Sequence, residues 1–336
     1  MTGMIVKNKE RCLNTRYKKM ACQRCRQVCP AGCISDAFEF DLSHCIECGL
    51  CLSSCPAEAI AGDGYSGKVL EAMLTADDSL LCLSCSLQDK QSSWPCLGFL
   101  DARLLLALVY SGKNSNRRVV VNNCSCSGCK RKVADYLGKI LISVNQILSL
   151  AGKYQIVHGN AVSNFKPKEK VVSRRGFIRC LVGEAISVFS AVVIADSIPK
   201  PLPRQEFFIK YTEALAVSGM RPTGIFSGIA IGEKCRACGL CARICPQQAI
   251  AVEDNGGVVD FYHNAFKCTG CGVCLTNCPW GAIALGSAYS LTLFRVATCS
   301  LPRCLECGKL YQPVGDHELC LECFLKDSSI ACWSEK

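Results

Sequence analysis

The sequence predicts an α+β protein made of several small units, and three observations predict it. The first is a doubled run, Cys235-x2-Cys238-x2-Cys241-x3-Cys245-Pro246 and Cys268-x2-Cys271-x2-Cys274-x3-Cys278-Pro279. The second is an altered copy of that run between Cys12 and Cys55-Pro56. The third is the stretch 67–165, where short β-like runs alternate with helical apolar spacing. Such alternation implies a small α/β domain with a parallel sheet.

The doubled run has the ligand spacing of paired [4Fe-4S] clusters, and in this it resembles the two-cluster bacterial ferredoxins. Three closely spaced thiolates wrap one face of a cube, and the fourth Cys of each run crosses to the other cube. Cys235, Cys238, Cys241 and Cys278 then form one set, and Cys268, Cys271, Cys274 and Cys245 the other. Gly239, Gly270 and Gly272 let the backbone curl close to the sulfurs. Pro246 and Pro279 fix φ where each loop leaves the cluster. Zinc and disulfides are the competing readings. Zinc sites use four ligands in two pairs, and disulfides need no short repeated spacing.

The N-terminal copy is intact in its later half, Cys45-x2-Cys48-x2-Cys51-x3-Cys55-Pro56. Its earlier half, Cys22-x2-Cys25-x3-Cys29-Pro30, lacks one Cys. Cys12 is the natural replacement, because a longer loop can still fold its thiolate back. The expected sets are Cys12, Cys22, Cys25 and Cys55, then Cys45, Cys48, Cys51 and Cys29. Cys33 competes with Cys12, against its reading as a small buried hydrophobe. A [3Fe-4S] cluster, or none, is the alternative for the first set.

The chain has 336 residues, of which 30 are Cys. No apolar signal core opens the sequence, so this Cys content points to metal ligation in the cytoplasm rather than a disulfide scaffold. His44 and His263 lie beside cluster motifs and read as ordinary surface residues. The formal charge of +10 counts every Cys as neutral. Four cubes and one zinc, each with four thiolates, would cancel about ten charges. The Lys and Arg excess then reads as counter-charge and local surface patches, and nucleic-acid binding is not expected.

In the middle stretch, Val69 to Leu74, Asp101 to Tyr110 and Lys130 to Leu150 are expected helices. Arg118 to Asn122 and Tyr154 to His158 are expected strands. Six Cys lie here: Cys82-x2-Cys85, Cys96 in Pro-Cys-Leu-Gly, and Cys124-x-Cys126-x2-Cys129. The order of these groups resembles the small iron–sulfur subunit that links hydrogenases to heterodisulfide reductases. That resemblance implies a [2Fe-2S] cluster, with Cys82, Cys85, Cys124 and Cys129 as first candidates, against reduced structural thiols. Residues 166–225 read as a connector, broken by Pro199, Pro201 and Pro203. Within it, Ser173-Arg174-Arg175-Gly176-Phe177 and the apolar run Cys180 to Ala195 resemble a twin-arginine export signal. Its internal position and Glu184 favour a buried or amphipathic helix instead, with membrane-surface or partner docking through 173–195 as the alternative.

In the second module, Asn255-Gly256-Gly257 between two apolar runs signals a hairpin. The repeated tails at Gln248 and Gly281 are expected to pair as the small core. The C-terminal stretch carries Cys304-x2-Cys307 and Cys320-x2-Cys323, which fit a closed zinc ribbon with Tyr311 and Phe324 as its core. A rubredoxin-like iron site has the same ligands. Cys299 and Cys332 flank the ribbon as spare thiols.

The whole chain resembles polyferredoxin-type proteins: two ferredoxin-like 2[4Fe-4S] modules (residues 1–66 and 226–290) flanking a small α/β domain, with a C-terminal zinc ribbon over 291–336. The resemblance implies single-electron transfer between redox proteins or within a larger oxidoreductase complex. An oxidoreductase subunit with a further centre at Cys82–Cys129 is one alternative. An assembly module with structural clusters is the other. No dinucleotide fingerprint or P-loop is present.

Overall fold

The computed structural model describes residues 5–62, 65, 67–75, 79–86, 94–112, 116–123, 126–158, 203–216, 218, 224–313 and 318–327. The segment 173–195, Cys124, Cys180 and Cys332 lie outside them.

The chain starts with β1 (Ile5–Lys7), which pairs antiparallel with β2 (Ile60–Gly62). Between them lie three short helices, α1 (Leu13–Arg16), α2 (Arg24–Gln27) and α3 (Leu50–Ser54). Next come α4 (Gly67–Thr75), β3 (Leu80–Leu83), α5 (Ala102–Tyr110), β4 (Arg118–Val121), α6 (Ala134–Leu150) and β5 (Val157–His158). β3, β4 and β5 form a parallel sheet in that order. Asp101 caps α5 by accepting the Leu104 N–H at 2.8 Å, as Asp does at helix starts. The α5 side chains Leu104 to Val109 are fully buried, and Leu137, Val144 and Ile147 of α6 are fully buried as well.

One apolar core runs from Ile5 and Leu52 through α5 and α6 to Phe266 and Leu291. The N-terminal unit and the parallel sheet are therefore not separate globules. α7 (Pro203–Ala216) packs on α5 and brings Phe208 against Phe226 and Phe266. Its first backbone N–H groups, those of Arg204 and Gln205, are accepted by the Glu58 carboxylate at 3.0 and 3.1 Å. A carboxylate at that end is favoured by the helix dipole. Burial pushes the Glu58 pKa up, and Arg204 opposes this.

The last third holds β6 (Ser227–Ile231), α8 (Leu240–Ile244), β7 (Ile250–Asp254), β8 (Val258–His263), α9 (Val273–Asn277), β9 (Ile283–Ser287), β10 (Phe294–Ser300) and α10 (Leu321–Asp327). β7 and β8 form the hairpin signalled by Asn255-Gly256-Gly257. The two repeated tails do not pair as strands. β7 takes β8 as its neighbour, while β9 pairs antiparallel with β6. A hairpin partner a few residues away closes a far shorter loop than the second tail would. The tails meet only through side chains, with Ile250 and Ile283 in one core beside Val259 and Phe261.

At the β6–β9 pair, Gly228 faces Gly286, and the two are not equivalent. A Cβ on Gly228 would meet the Ser287 carbonyl oxygen at 2.2 Å, whereas one on Gly286 would meet nothing within 4 Å. Gly228→Ala is expected to lower stability by about 1–3 kcal/mol. Gly286→Ala should leave the thermal midpoint almost unchanged, and equal effects would refute this.

Candidate metal centres

Four cavities collect the module cysteines. Cys12, Cys22, Cys25 and Cys55 line the first, with Lys7, Leu13 and Arg24. Cys29, Cys45, Cys48 and Cys51 line the second, with Ile5 and Phe40. Cys235, Cys238, Cys241 and Cys278 line the third, and Cys245, Cys268, Cys271 and Cys274 the fourth. In every cavity the Cys that precedes Pro comes from the opposite run, as the crossover requires. Their empty volumes are close, about 430, 320, 350 and 340 Å³ in that order.

The backbone repeats with the cysteines. The residues before and after the second Cys are left-handed in three runs, at Glu47 and Gly49, Ala237 and Gly239, and Gly270 and Gly272. This turns successive N–H groups inward as an anion nest. The degenerate run has no such nest, because α2 occupies that stretch. The third residue after each Cys-Pro cysteine is also left-handed, at Gly32, Glu58, Gln248 and Gly281. The next N–H then donates to the Cys sulfur: Ala59 to Cys55, Ala249 to Cys245 and Ala282 to Cys278, at 3.3 to 3.4 Å.

In the first run that next residue is Cys33. Its Sγ lies 3.4 Å from Cys29 Sγ, inside the second cavity. It is buried and does not line the first cavity, where Cys12 stands. The long loop is folded back by Asn14, whose amide accepts the Cys22 N–H at 2.7 Å and donates to the Cys22 carbonyl at 2.8 Å.

The donor set fits a cluster better than a single ion. Among the described residues, only Cys304, Cys307, Cys320 and Cys323 bring three or more ligand atoms within 4.8 Å of one another. No three thiols of any of the four cavities lie that close together. Burial and the neighbouring thiols push Cys25 and Cys268 up to about 11, and Cys241 and Cys274 to about 12. Such crowded sulfurs ionise when a cation is present to share the charge. His263 and Thr269 line the fourth cavity, and His263 Nε2 is buried without a hydrogen-bond partner among the described residues. His263 is thus not a surface residue: it is 4 % exposed, and burial lowers its pKa to about 4. His44 is exposed and pairs with Asp41 at 2.7 Å.

The two modules touch end to end. Leu13, Ala57 and Val273 form a small core with Cys22, Cys55, Ile244 and Cys271 around it. The Tyr17 hydroxyl donates to the Ile244 carbonyl at 3.0 Å, and Arg24 donates to the Gly270 carbonyl at 2.6 Å. Arg103 of α5 donates to the Cys268 carbonyl, and Gln205 of α7 to those of Phe266 and Lys267. Sequence reasoning found none of these fasteners, since a lone Arg, Tyr or Gln carries no spacing signal.

In the parallel-sheet region, the candidates separate. Cys82 lies within β3, opposite Val120, and its pKa is raised by burial alone. Cys85 and Cys96 are both buried; burial raises the Cys96 pKa, the Arg131 charge opposes this and Cys85 adds to it. Cys96 in turn adjoins Cys48 of the second cavity. The approach is close because Gly98 and Gly49 lack side chains. A Cβ on Gly98 would meet the Cys48 carbonyl at 2.2 Å, and one on Gly49 the Phe99 nitrogen at 2.8 Å. Arg131 fastens the same place, donating to the Ile46 and Pro95 carbonyls. Cys126 and Cys129 follow the end of β4 and are half-buried.

At the C-terminus, Cys307 and Cys320 have sulfurs 3.7 Å apart, and Cys304 Sγ accepts the Cys320 N–H at 3.3 Å. Hydrogen bonds from the Cys307 and Cys320 backbone lower the Cys304 pKa to about 6. Tyr311 and Leu319 pack on these thiols. Cys299 does not join them. It lies on β10 beside Cys235.

Comparison with known proteins places two of these stretches. The 4Fe-4S dicluster domain model matches residues 234–282, and the 4Fe-4S binding domain model matches residues 38–61. Both are 4Fe-4S domains of the ferredoxin type. The chain is 36% identical over 53 residues to pyruvate synthase subunit PorD of Methanothermobacter marburgensis, 16% of this chain and 57% of that protein. It is 39% identical over 57 residues to NADH-quinone oxidoreductase subunit I of Pelobacter propionicus, covering 12% and 31%. With subunit I 2 of the same oxidoreductase in Geobacter metallireducens it shares 31% over 64 residues, covering 15% and 49%. The chain thus spans 31% to 57% of the length of these curated relatives. Two stretches of the chain are thus 4Fe-4S binding domains. No helix among the described residues is long and apolar enough to cross a membrane.

Proposed function

We propose that the chain relays single electrons along four [4Fe-4S] clusters, between redox protein partners or inside a larger oxidoreductase, in the cytoplasm. The observation that carries this is the row of four crossed-thiol cavities with its junction at Cys22, Cys55 and Cys271. Cys12, Cys22, Cys25 and Cys55 hold one cluster, and Cys45, Cys48, Cys51 and Cys29 the next. Cys235, Cys238, Cys241 and Cys278 hold the third, and Cys268, Cys271, Cys274 and Cys245 the fourth. A cube held by four thiolates has no open coordination site, so it supplies electron transfer and not substrate binding. The order along the row is the Cys235 set, the Cys268 set, the Cys12 set, then the Cys45 set. Support for it comes from Cys274, which lines the third and fourth cavities, and from Cys51, whose charge environment includes Cys25.

The row extends to a further centre, a [2Fe-2S] cluster on Cys85 and Cys96 with donors from the Cys124–Cys129 segment. Cys304, Cys307, Cys320 and Cys323 hold zinc as a closed structural ribbon. Anaerobic purification with iron, sulfide and zinc determination, followed by EPR on reduction, tests the set. About sixteen iron and one zinc are expected, or about eighteen iron with the further centre. Iron near eight, or clusters that no low-potential donor reduces, would sink the relay.

The ribbon adds a pH prediction. In chelator-treated protein, thiolate absorbance attributable to Cys304 should appear with a midpoint near pH 6. It is present above that pH and lost as pH falls through it. The wild type minus Cys304→Ser difference spectrum measures it, and a midpoint near the usual thiol value would contradict it.

A further inference from the structure

The two halves of the N-terminal module carry opposite charge. Residues 5–30 hold eight Lys and Arg against one Glu, while residues 31–62 hold five Asp and Glu and no Lys or Arg. Residues 226–290, the other module, hold four of each sign. That module has as many Cys sets and does without an excess. Compensation of cluster charge therefore does not account for the eight cations.

These cations sit on the surface around one cavity. Lys9, Arg16, Lys18, Lys19, Arg24 and Arg26 are exposed, each within four residues of Cys12, Cys22 or Cys25. Among the salt bridges of the described residues, only Arg26 with Asp36 engages this group. The four thiols of this set are all half-buried, whereas each of the other three sets contains at least one buried thiol. The set without a buried thiol is thus the one whose neighbouring residues are exposed cations, with Lys7 and Arg24 lining its cavity.

Resting on the electron-relay reading, we propose that this basic face is the docking surface for an acidic redox protein, which exchanges electrons at the Cys12, Cys22, Cys25 and Cys55 centre. Complementary charge steers brief encounters between electron-transfer partners, which form small interfaces. A nucleic acid would want stacking platforms, and Tyr17, the one aromatic residue of this stretch, has its hydroxyl engaged by Ile244. A membrane would want apolar side chains to insert, and Val6 is the one large apolar residue here that is exposed.

The test uses the full-length iron-loaded chain and a Lys9→Glu/Arg16→Glu/Lys18→Glu/Lys19→Glu variant. Stopped-flow rates are read with a reduced acidic ferredoxin and, separately, with reduced methyl viologen, a small cation. The ferredoxin rate is expected to fall about tenfold or more in the variant, and likewise for the wild type on raising salt from about 0.05 to about 0.3 M. The viologen rate should hold or rise in the variant. A ferredoxin rate indifferent to both salt and charge reversal overturns the docking face. So does salt-resistant capture of the wild type by duplex DNA or phosphatidylglycerol vesicles with the ferredoxin rate unmoved. If the wild type takes up no iron, or neither donor reduces it, the relay reading fails and the docking proposal falls with it.

Discussion

Cys12→Ala is expected to strip about four iron from each chain. The reason is the place of Cys12 in the first cavity, where Asn14 holds the loop so that residues 12 and 22 face the same space. Cys33→Ala should keep the full iron count, because Cys33 lies beside Cys29 in the other cavity. The pair of variants separates the two assignments in one iron assay. Loss on removing Cys33 with retention on removing Cys12 would reverse them. The EPR of the Cys33→Ala protein should still change, since a buried thiol 3.4 Å from a ligand sulfur affects that ligand's electron density.

Cys96→Ala is expected to remove about two iron, while Cys82→Ala removes none. Cys96 and Cys85 are buried together against the Cys48 loop, whereas Cys82 sits inside a strand with no thiol of the described residues influencing it. Iron and sulfide counts on the two purified variants, with the visible spectrum as a second readout, decide it. Equal iron in both variants would leave these thiols as structural.

The candidate cluster thiols are the most legible part of the sequence, because cube geometry imposes a fixed local spacing. The Cys12 assignment was harder, since ten residues separate it from Cys22 and the clamp that closes the loop is a single Asn. The choice between Cys82 and Cys96 is not legible from spacing, because a strand places neighbouring side chains on opposite faces and proximity in sequence does not say which thiols share a face. His263 read as a surface residue beside a motif, yet β8 carries it inward to the fourth cavity. The strand partners of the repeated tails were hidden for a related reason: β6 precedes its motif and offered no turn signal. The contacts that fasten the modules link positions hundreds of residues apart, and local pattern holds no record of them.

That last feature bears on how the protein is made. Tyr17 meets Ile244 across 227 positions, and the apolar floor beneath Cys22 and Cys55 is completed by Val273. A chain growing at about 5–20 residues per second leaves that floor open for on the order of 13 to 51 s after Tyr17 is synthesised. During this interval the first set of thiols has no lid, and iron placed there would be exposed to oxidants and competing ligands. The second module draws its strand pairings from the contiguous stretch 227–300 and can close as soon as that stretch is complete. Loading is then expected to run backwards along the chain, with the first-made cysteines filled last.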